Sequence, residues 1–144
     1  MIALDSNILL RMSEPNSVQF PTVMSAVGKL RAAGELLHIF PQNIYEFWAT
    51  ATRPTKANGL GLTLPACLVE VNRYLQIFQL LPDQPGLFDE WFRLVVQYQC
   101  HGRVPFDARI VAAMNTHSIT RLLTFNLPDF ARYPGLTALD PATV

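Results

Sequence analysis

The apolar segments Ile2-Ala3-Leu4, Leu36 to Phe40 and Leu122 to Phe125 are short, unbroken runs separated by longer stretches with helical spacing. An unbroken run removes the side chains of both pleat faces from water. Such runs therefore read as strands of a parallel sheet covered by helices on each face, not as antiparallel strands with one wet side. That restricts the chain to an α/β layer fold. Ser6 to Met12 reads as a short first helix, and Ser17 to Ala33 as a second with Phe20, Val23, Met24, Val27 and Leu30 in one stripe and Gly34 as its stop. A third, from Asn43 to Thr52, is expected to bury Ile44, Phe47, Trp48 and Ala51, and Arg53 to Gly61, with Pro54, Gly59 and Gly61, is an exposed loop. Thr63 caps a fourth helix that has Pro65 in its first turn and Leu64, Cys67, Leu68, Val71, Leu75 and Phe78 on one face. Gln79 to Leu81 reads as a short strand. Two more helices follow: Pro85 to Gln99, burying Leu87, Trp91, Leu94, Val95 and Tyr98, and a helix opened by Asp107 that runs through Met114, with Ile110, Val111 and Met114 inward. Leu136 to Leu139 is a weak last strand.

Nothing in the composition divides the 144 residues, so one domain over 1–144 is expected, burying roughly two thirds of its unfolded surface. Half of the residues are hydrophobic, yet no run approaches the roughly 20 apolar residues that cross a bilayer, and Met1-Ile2-Ala3-Leu4 lacks the basic start of a signal peptide. A soluble, cytoplasmic protein without membrane contact is expected. Cys67 and Cys100 lack disulfide or zinc spacing and read as small core residues. The net charge of zero argues against coating nucleic acid through bulk electrostatics, but leaves a local site open. Nine of the 11 basic residues are arginine, the better bidentate partner for phosphate, and Arg11, Arg53, Arg103 and Arg109 lie near acidic segments.

Those acidic segments are the unusual part of the chain. Of only 11 acids, several stand beside apolar stretches: Leu4-Asp5-Ser6-Asn7, Tyr45-Glu46-Phe47, Pro105-Phe106-Asp107-Ala108-Arg109, and Thr124 to Phe130 with Asp129. A buried carboxylate costs several kcal/mol unless it is paired or bound to a cation, so a shared divalent metal is the economical explanation. Ligands of open α/β sheets bind beyond the carboxyl ends of the strands. Asp5 follows the first strand, Asn126 and Asp129 follow the strand ending near Thr124, and Glu46 lies on the helix after the second strand, so three of the four segments converge by topology. Capping is the competing reading: Asp5 for the helix at Ser6, Asp107 for one at Ala108, Asp129 for the turn Phe130-Ala131-Arg132. An oxygen-rich cluster suits Mg²⁺ or Mn²⁺, and phosphodiester hydrolysis is the chemistry such parts fit. No GxGxxG, Walker A, GxSxG or HExxH motif competes, and His38, His101 and His117 read as strand and helix-end residues.

Taken in order, Ala3-Leu4-Asp5-Ser6-Asn7-Ile8-Leu9-Leu10, Asn43-Ile44-Tyr45-Glu46-Phe47, Asp107-Ala108-Arg109-Ile110-Val111-Ala112-Ala113 and Leu123-Thr124-Phe125-Asn126-Leu127-Pro128-Asp129-Phe130 resemble the four motifs of PIN-domain proteins, and among these the VapC-type toxins of toxin-antitoxin pairs. The resemblance spans nearly the whole chain. It implies a three-layer α/β/α sandwich around a short parallel sheet, and a Mg²⁺- or Mn²⁺-dependent endoribonuclease whose partners are RNA, a cognate antitoxin and a second copy of the chain. Carried over, Asp5 and Asp107 are direct metal ligands and Glu46 is a ligand or water-positioning base. At the fourth corner, either Asp129 supplies the last carboxylate or Asn126, where many relatives have aspartate, serves as a neutral ligand. Phe106 replaces a histidine common before the third acid. Ser6 and Thr124 support the acids, and Arg11, Arg53 and Arg109 are candidate phosphate contacts. Leu60, Leu62, Phe88 and Phe92 are expected to be exposed in a protein interface. A housekeeping PIN nuclease shares this chemistry. A haloacid dehalogenase-like phosphatase would need a second aspartate where Asn7 stands, and a catalytically silent binding module would not need the acids.

Overall fold

The computed structural model describes residues 1–144. Its elements are β1 (Ile2–Leu4), α1 (Ser6–Met12), α2 (Phe20–Ala32), β2 (Leu37–Ile39), α3 (Pro41–Ala51), a 3₁₀ turn (Thr55–Ala57), α4 (Leu64–Ile77), β3 (Gln79–Leu80), α5 (Leu87–Gln97), α6 (Val104–Thr116), β4 (Arg121–Leu123), α7 (Leu127–Phe130) and β5 (Thr137–Leu139). The five strands form one sheet in the order β3-β2-β1-β4-β5. Every pair is parallel, and Ala3 of β1 is in register with His38 of β2 on one side and Leu122 of β4 on the other.

Strand alternation divides the core in two. Ile2, Leu4, Leu37, Ile39 and Leu123 point to one face, where Ile8 and Leu9 of α1, Val23 and Val27 of α2, Phe47 of α3 and Cys67, Val71 and Tyr74 of α4 cover them. Ala3 and Leu122 point to the other face, against Leu87 and Leu94 of α5, the apolar stripe of α6, Phe130 and Tyr133. A sheet wet on neither face explains why its strands read as unbroken apolar runs. The result is the expected three-layer α/β/α sandwich.

Several boundaries shift for local reasons. α2 starts at Phe20, not Ser17, because the Ser17 hydroxyl accepts the Gln19 N–H at 3.2 Å and holds a turn there. α3 starts at Pro41, two residues before Asn43, since proline suits the first turn and the Asn43 side chain accepts the Phe40 N–H at 2.7 Å. α6 starts at Val104, with Pro105 in its first turn, which puts Asp107 inside the helix instead of ahead of it. On α4, Leu64, Leu68 and Leu75 are exposed, while Tyr74, absent from the expected face, is fully buried. Its ring packs edge-on to Phe47 at 5.3 Å and its hydroxyl donates to Leu9 O at 2.7 Å. Leu60 and Leu62 are not exposed as expected but pack, half-buried, on the first core, whereas Phe88 and Phe92 do face solvent. No helix is long and apolar enough to cross a membrane.

Candidate active site

At the carboxyl edge of the sheet, β1 ends in Asp5, which lies 8% exposed between the first turn of α1 and the end of β4. Its Oδ1 accepts the Ser6 N–H at 2.7 Å, as a helix cap would, but Oδ2 accepts from the Thr124 hydroxyl at 2.7 Å and from Asn7 Nδ2 at 3.0 Å. Capping is thus only part of its environment. Thr124, fully buried, accepts in turn from the Asn126 N–H at 2.9 Å and from Asn7 Nδ2 at 3.2 Å. Thr124 and Asn7 join the ends of β1 and β4 around one carboxylate.

Glu46 comes from the middle of α3. Oε2 accepts from the Ser6 hydroxyl at 2.6 Å and Oε1 from Gln42 Nε2, one helical turn earlier, at 2.5 Å. The same Gln42 nitrogen donates to Phe106 O at 2.8 Å, and Gln42 Oε1 accepts from Arg109 Nη1 at 3.0 Å, so this single amide ties α3 to α6. Asn43, with no exposed surface, donates to Leu4 O at 3.0 Å and to Ser6 Oγ at 3.2 Å, fixing α3 against β1.

Asp107 projects from the first turn of α6, where the positive end of the helix favours an anion. Nevertheless its carboxyl is pushed up to about 7, first by burial and then by Asp5, Asp129 and Glu46, with Arg132 opposing. Asp5 is raised to about 6: burial outweighs the stabilising Thr124 and Ser6 hydrogen bonds, and Glu46 and Asp129 add repulsion. The four carboxylates therefore share one electrostatic neighbourhood. Asp129, exposed in α7, belongs to it, so it does not merely cap the following turn; Asn126 sits exposed just ahead of α7.

The predicted arginines separate. Arg109 reaches the site through Gln42 and pairs with Asp83 at 2.7 Å. Arg11 instead pairs with Glu14 at 3.1 Å and donates to Gln19, and Arg53 lies exposed in the loop after α3. Sequence reasoning did not single out Gln42, Arg132, or Asn7 and Asn43 as site residues. The Gln42/Glu46 spacing of one turn and the position of Asn43 three residues after Phe40 were the available signals.

Every donor here is a hard oxygen, two carboxyls are held away from ready ionisation by burial and by their neighbours, and no hydrogen bond contributes to the state of Asp107. A divalent cation fits that set. No three acidic, histidine or cysteine groups are arranged to enclose one ion among them. The fit is accordingly to an ion that uses one or two carboxylates and keeps much of its water, as Mg²⁺ does, not to a closed protein cage.

No family model and no curated protein matches the sequence. Solved structures do. A chain of the FitAcB complex from Neisseria gonorrhoeae superposes with a TM-score of 0.72 at 16% identity, covering 100% of both chains. DNA-bound VapBC from Salmonella typhimurium gives 0.70 at 16%, covering 97% of each chain. Mycobacterium tuberculosis VapC20, described as a sarcin-ricin loop cleaving toxin, gives 0.62 at 12%, covering 85% of this chain and 87% of that one. With its five parallel strands, seven α-helices and near-complete overlap with these structures, the chain carries a PIN-domain fold of the VapC type.

Proposed function

We propose that the chain is a divalent-metal-dependent endoribonuclease and the toxin of a toxin-antitoxin pair. The observation that carries the reading is the convergence of Asp5, Glu46, Asp107 and Asp129 on one sheet edge, where burial and the neighbouring carboxylates raise the proton affinity of both Asp5 and Asp107 with no cationic side chain bonded to either. In the proposal, Asp5 and Asp107 hold Mg²⁺ or Mn²⁺, with Glu46 as ligand or water-positioning base and Asp129 or Asn126 completing the edge. When bound, such an ion lowers the pKa of a water and offsets charge on the phosphate. Ser6 and Gln42 fix both oxygens of Glu46, leaving the carboxylate oriented to accept a proton from a water on its open side. Thr124 and Asn7 keep Asp5 from rotating. Arg109, held by Gln42 and Asp83, supplies positive charge at the rim for the RNA backbone.

Neighbours of known structure include complexes of toxin with antitoxin, which supports an antitoxin as the silencing partner, with a homodimer through the Phe88 and Phe92 face of α5 as the second proposed assembly. The decisive measurement is RNA cleavage by the purified protein with Mn²⁺ or Mg²⁺, with chelator, and by Asp5→Asn and Asp107→Asn. Cleavage should stop with chelator and fall by orders of magnitude in either variant while circular dichroism stays native. Millimolar Mn²⁺ at pH 7.5 should stabilise the wild type by roughly 2 to 4 kcal/mol at a hundred- to thousandfold excess over its Kd, and Asp5→Asn far less. Undiminished cleavage by Asp5→Asn overturns the reading.

A further inference from the structure

Gln42 is buried, at 5% exposure, yet its amide is engaged at both ends. Nε2 donates to Glu46 Oε1 at 2.5 Å and to Phe106 O at 2.8 Å, and Oε1 accepts from Arg109 Nη1 at 3.0 Å. Turning the amide over would set its oxygen against two acceptors and its NH₂ group against a guanidinium. All of these bonds would be lost at once, so the amide is held in one orientation. Each partner matters to the proposed chemistry: Glu46 and Arg109 directly, and Phe106 as the residue before Asp107.

Arg109 is held at both arms, Nη1 by Gln42 and Nη2 by Asp83 at 2.7 Å. These two bonds leave the remaining guanidinium N–H groups for an anion, and the side chain is 30% exposed, so a strand lying along the edge can meet it. Through the Gln42 amide, Arg109 Nη1 and Glu46 Oε1 lie no more than about 8 Å apart, the reach of two hydrogen bonds and the width of one amide. That is close to the interval between neighbouring phosphates of a nucleic-acid strand. A free arginine sweeps several ångströms on its long side chain. This one moves only by breaking its bonds to Gln42 and Asp83.

We propose that Gln42 is a positioning residue that holds Arg109 and Glu46 one nucleotide apart, so that an RNA phosphate gripped by Arg109 sets which phosphodiester bond meets the carboxylates. The inference rests on the ribonuclease reading above. Gln42 touches neither the RNA nor the scissile bond; it acts through the two side chains it joins. A phosphate contact by itself carries no information about position, but a contact at a fixed distance from the reacting edge fixes the register of the strand. Removing the spacer leaves both functional groups in place and frees their separation.

The test maps cut positions, which a merely structural tie would not move. Total cellular RNA, and then an oligoribonucleotide spanning the main cut, are treated with the purified protein and Mn²⁺, and the new ends are located by sequencing. Wild type, Gln42→Met, Arg109→Lys and the double variant are compared, with binding of the oligoribonucleotide followed by anisotropy in chelator. Gln42→Met keeps the bulk of the side chain and loses its bonds, and Arg109→Lys keeps the charge and loses the fork. Each single variant should cut the wild-type bond roughly 10- to 100-fold more slowly and shift part of its products to adjacent bonds, with RNA affinity within about threefold of wild type. The double variant should be no worse than either single one, since each breaks the same link. Slower cutting by Gln42→Met at an unchanged bond makes Gln42 a structural tie between α3 and α6 and overturns the proposal, as do losses that add in the double variant or a wild type with no preferred bond. Should Gln42→Met fail to unfold cooperatively, Arg109→Lys decides alone: an unchanged cut pattern overturns the proposal and a shifted one sustains it. In each of these outcomes the ribonuclease reading stands, whereas a wild type that cuts no RNA overturns both.

Discussion

Asp107 and Asp5 make the apo protein's stability depend on pH in an unusual direction. Both carboxyls bind protons more tightly when folded, near 7 and 6 against an ordinary value of 3.8, with burial the largest cause in each case. Between pH 4 and 7 these two groups therefore hold more protons in the folded chain than in the unfolded one, and their contribution to stability falls as pH rises through this window. His38 works the opposite way. It is 2% exposed, neither ring nitrogen has a hydrogen-bond partner, and burial lowers its proton affinity, so its contribution is lost as pH falls below its ordinary value of 6.5. Denaturant titrations in chelator at pH 4.5, 6 and 7.5 should show Asp107→Asn gaining on the wild type as pH rises. An Asp107→Asn advantage that shrinks instead would contradict the assigned repulsion. Asp5 and Asp107 were legible in the sequence because acids beside apolar runs are rare. Gln42 was not, because an uncharged glutamine on a helix carries no such signal; only its partners reveal that it links Glu46, Phe106 and Arg109.

The elements follow the apolar pattern where packing sets them and depart from it where caps do. β1, α1 and β4 lie within a residue or two of their expected spans because burial on both sheet faces leaves little freedom. The starts of α3 and α6 were misplaced because Asn43 and Asp107 look like openings, while Pro41 and Pro105 are the residues in the first turns. α4 was assigned too wide a stripe: Cys67, Val71 and Tyr74 are buried, and Leu64, Leu68 and Leu75 are left out. Asn43 is the residue through which one element depends most on another, since it caps α3 and also bonds Leu4 O and Ser6 Oγ. Asn43→Ala should cost about 2 to 4 kcal/mol by leaving buried backbone groups unpaired. Equilibrium unfolding measures it. A loss below 1 kcal/mol would mean that the β1–α3 junction is held by packing alone.

At the scale of the molecule, the sheet order puts the first strand in the centre, between one strand from the first third of the chain and one from the last. The hydrogen bond from Thr124 to Asp5 spans 119 positions of sequence. During synthesis at about 5 to 20 residues per second, Asp5 therefore exists for roughly 6 to 24 s before the residue that orients it has been made. β1 waits equally long for its β4 neighbour, and the Asp5 N–H for its Leu123 O acceptor. An incomplete chain cannot assemble the edge on which the proposed chemistry depends, whatever its other elements do. A product ending at Thr120 should be inert in the RNA assay and should fail to unfold cooperatively, even though it retains Asp5, Glu46 and Asp107. In the proposed nuclease the acids Asp5, Glu46 and Asp107 are all made before the residue that orients the first of them, so the activity waits on Thr124 and not on the acids themselves.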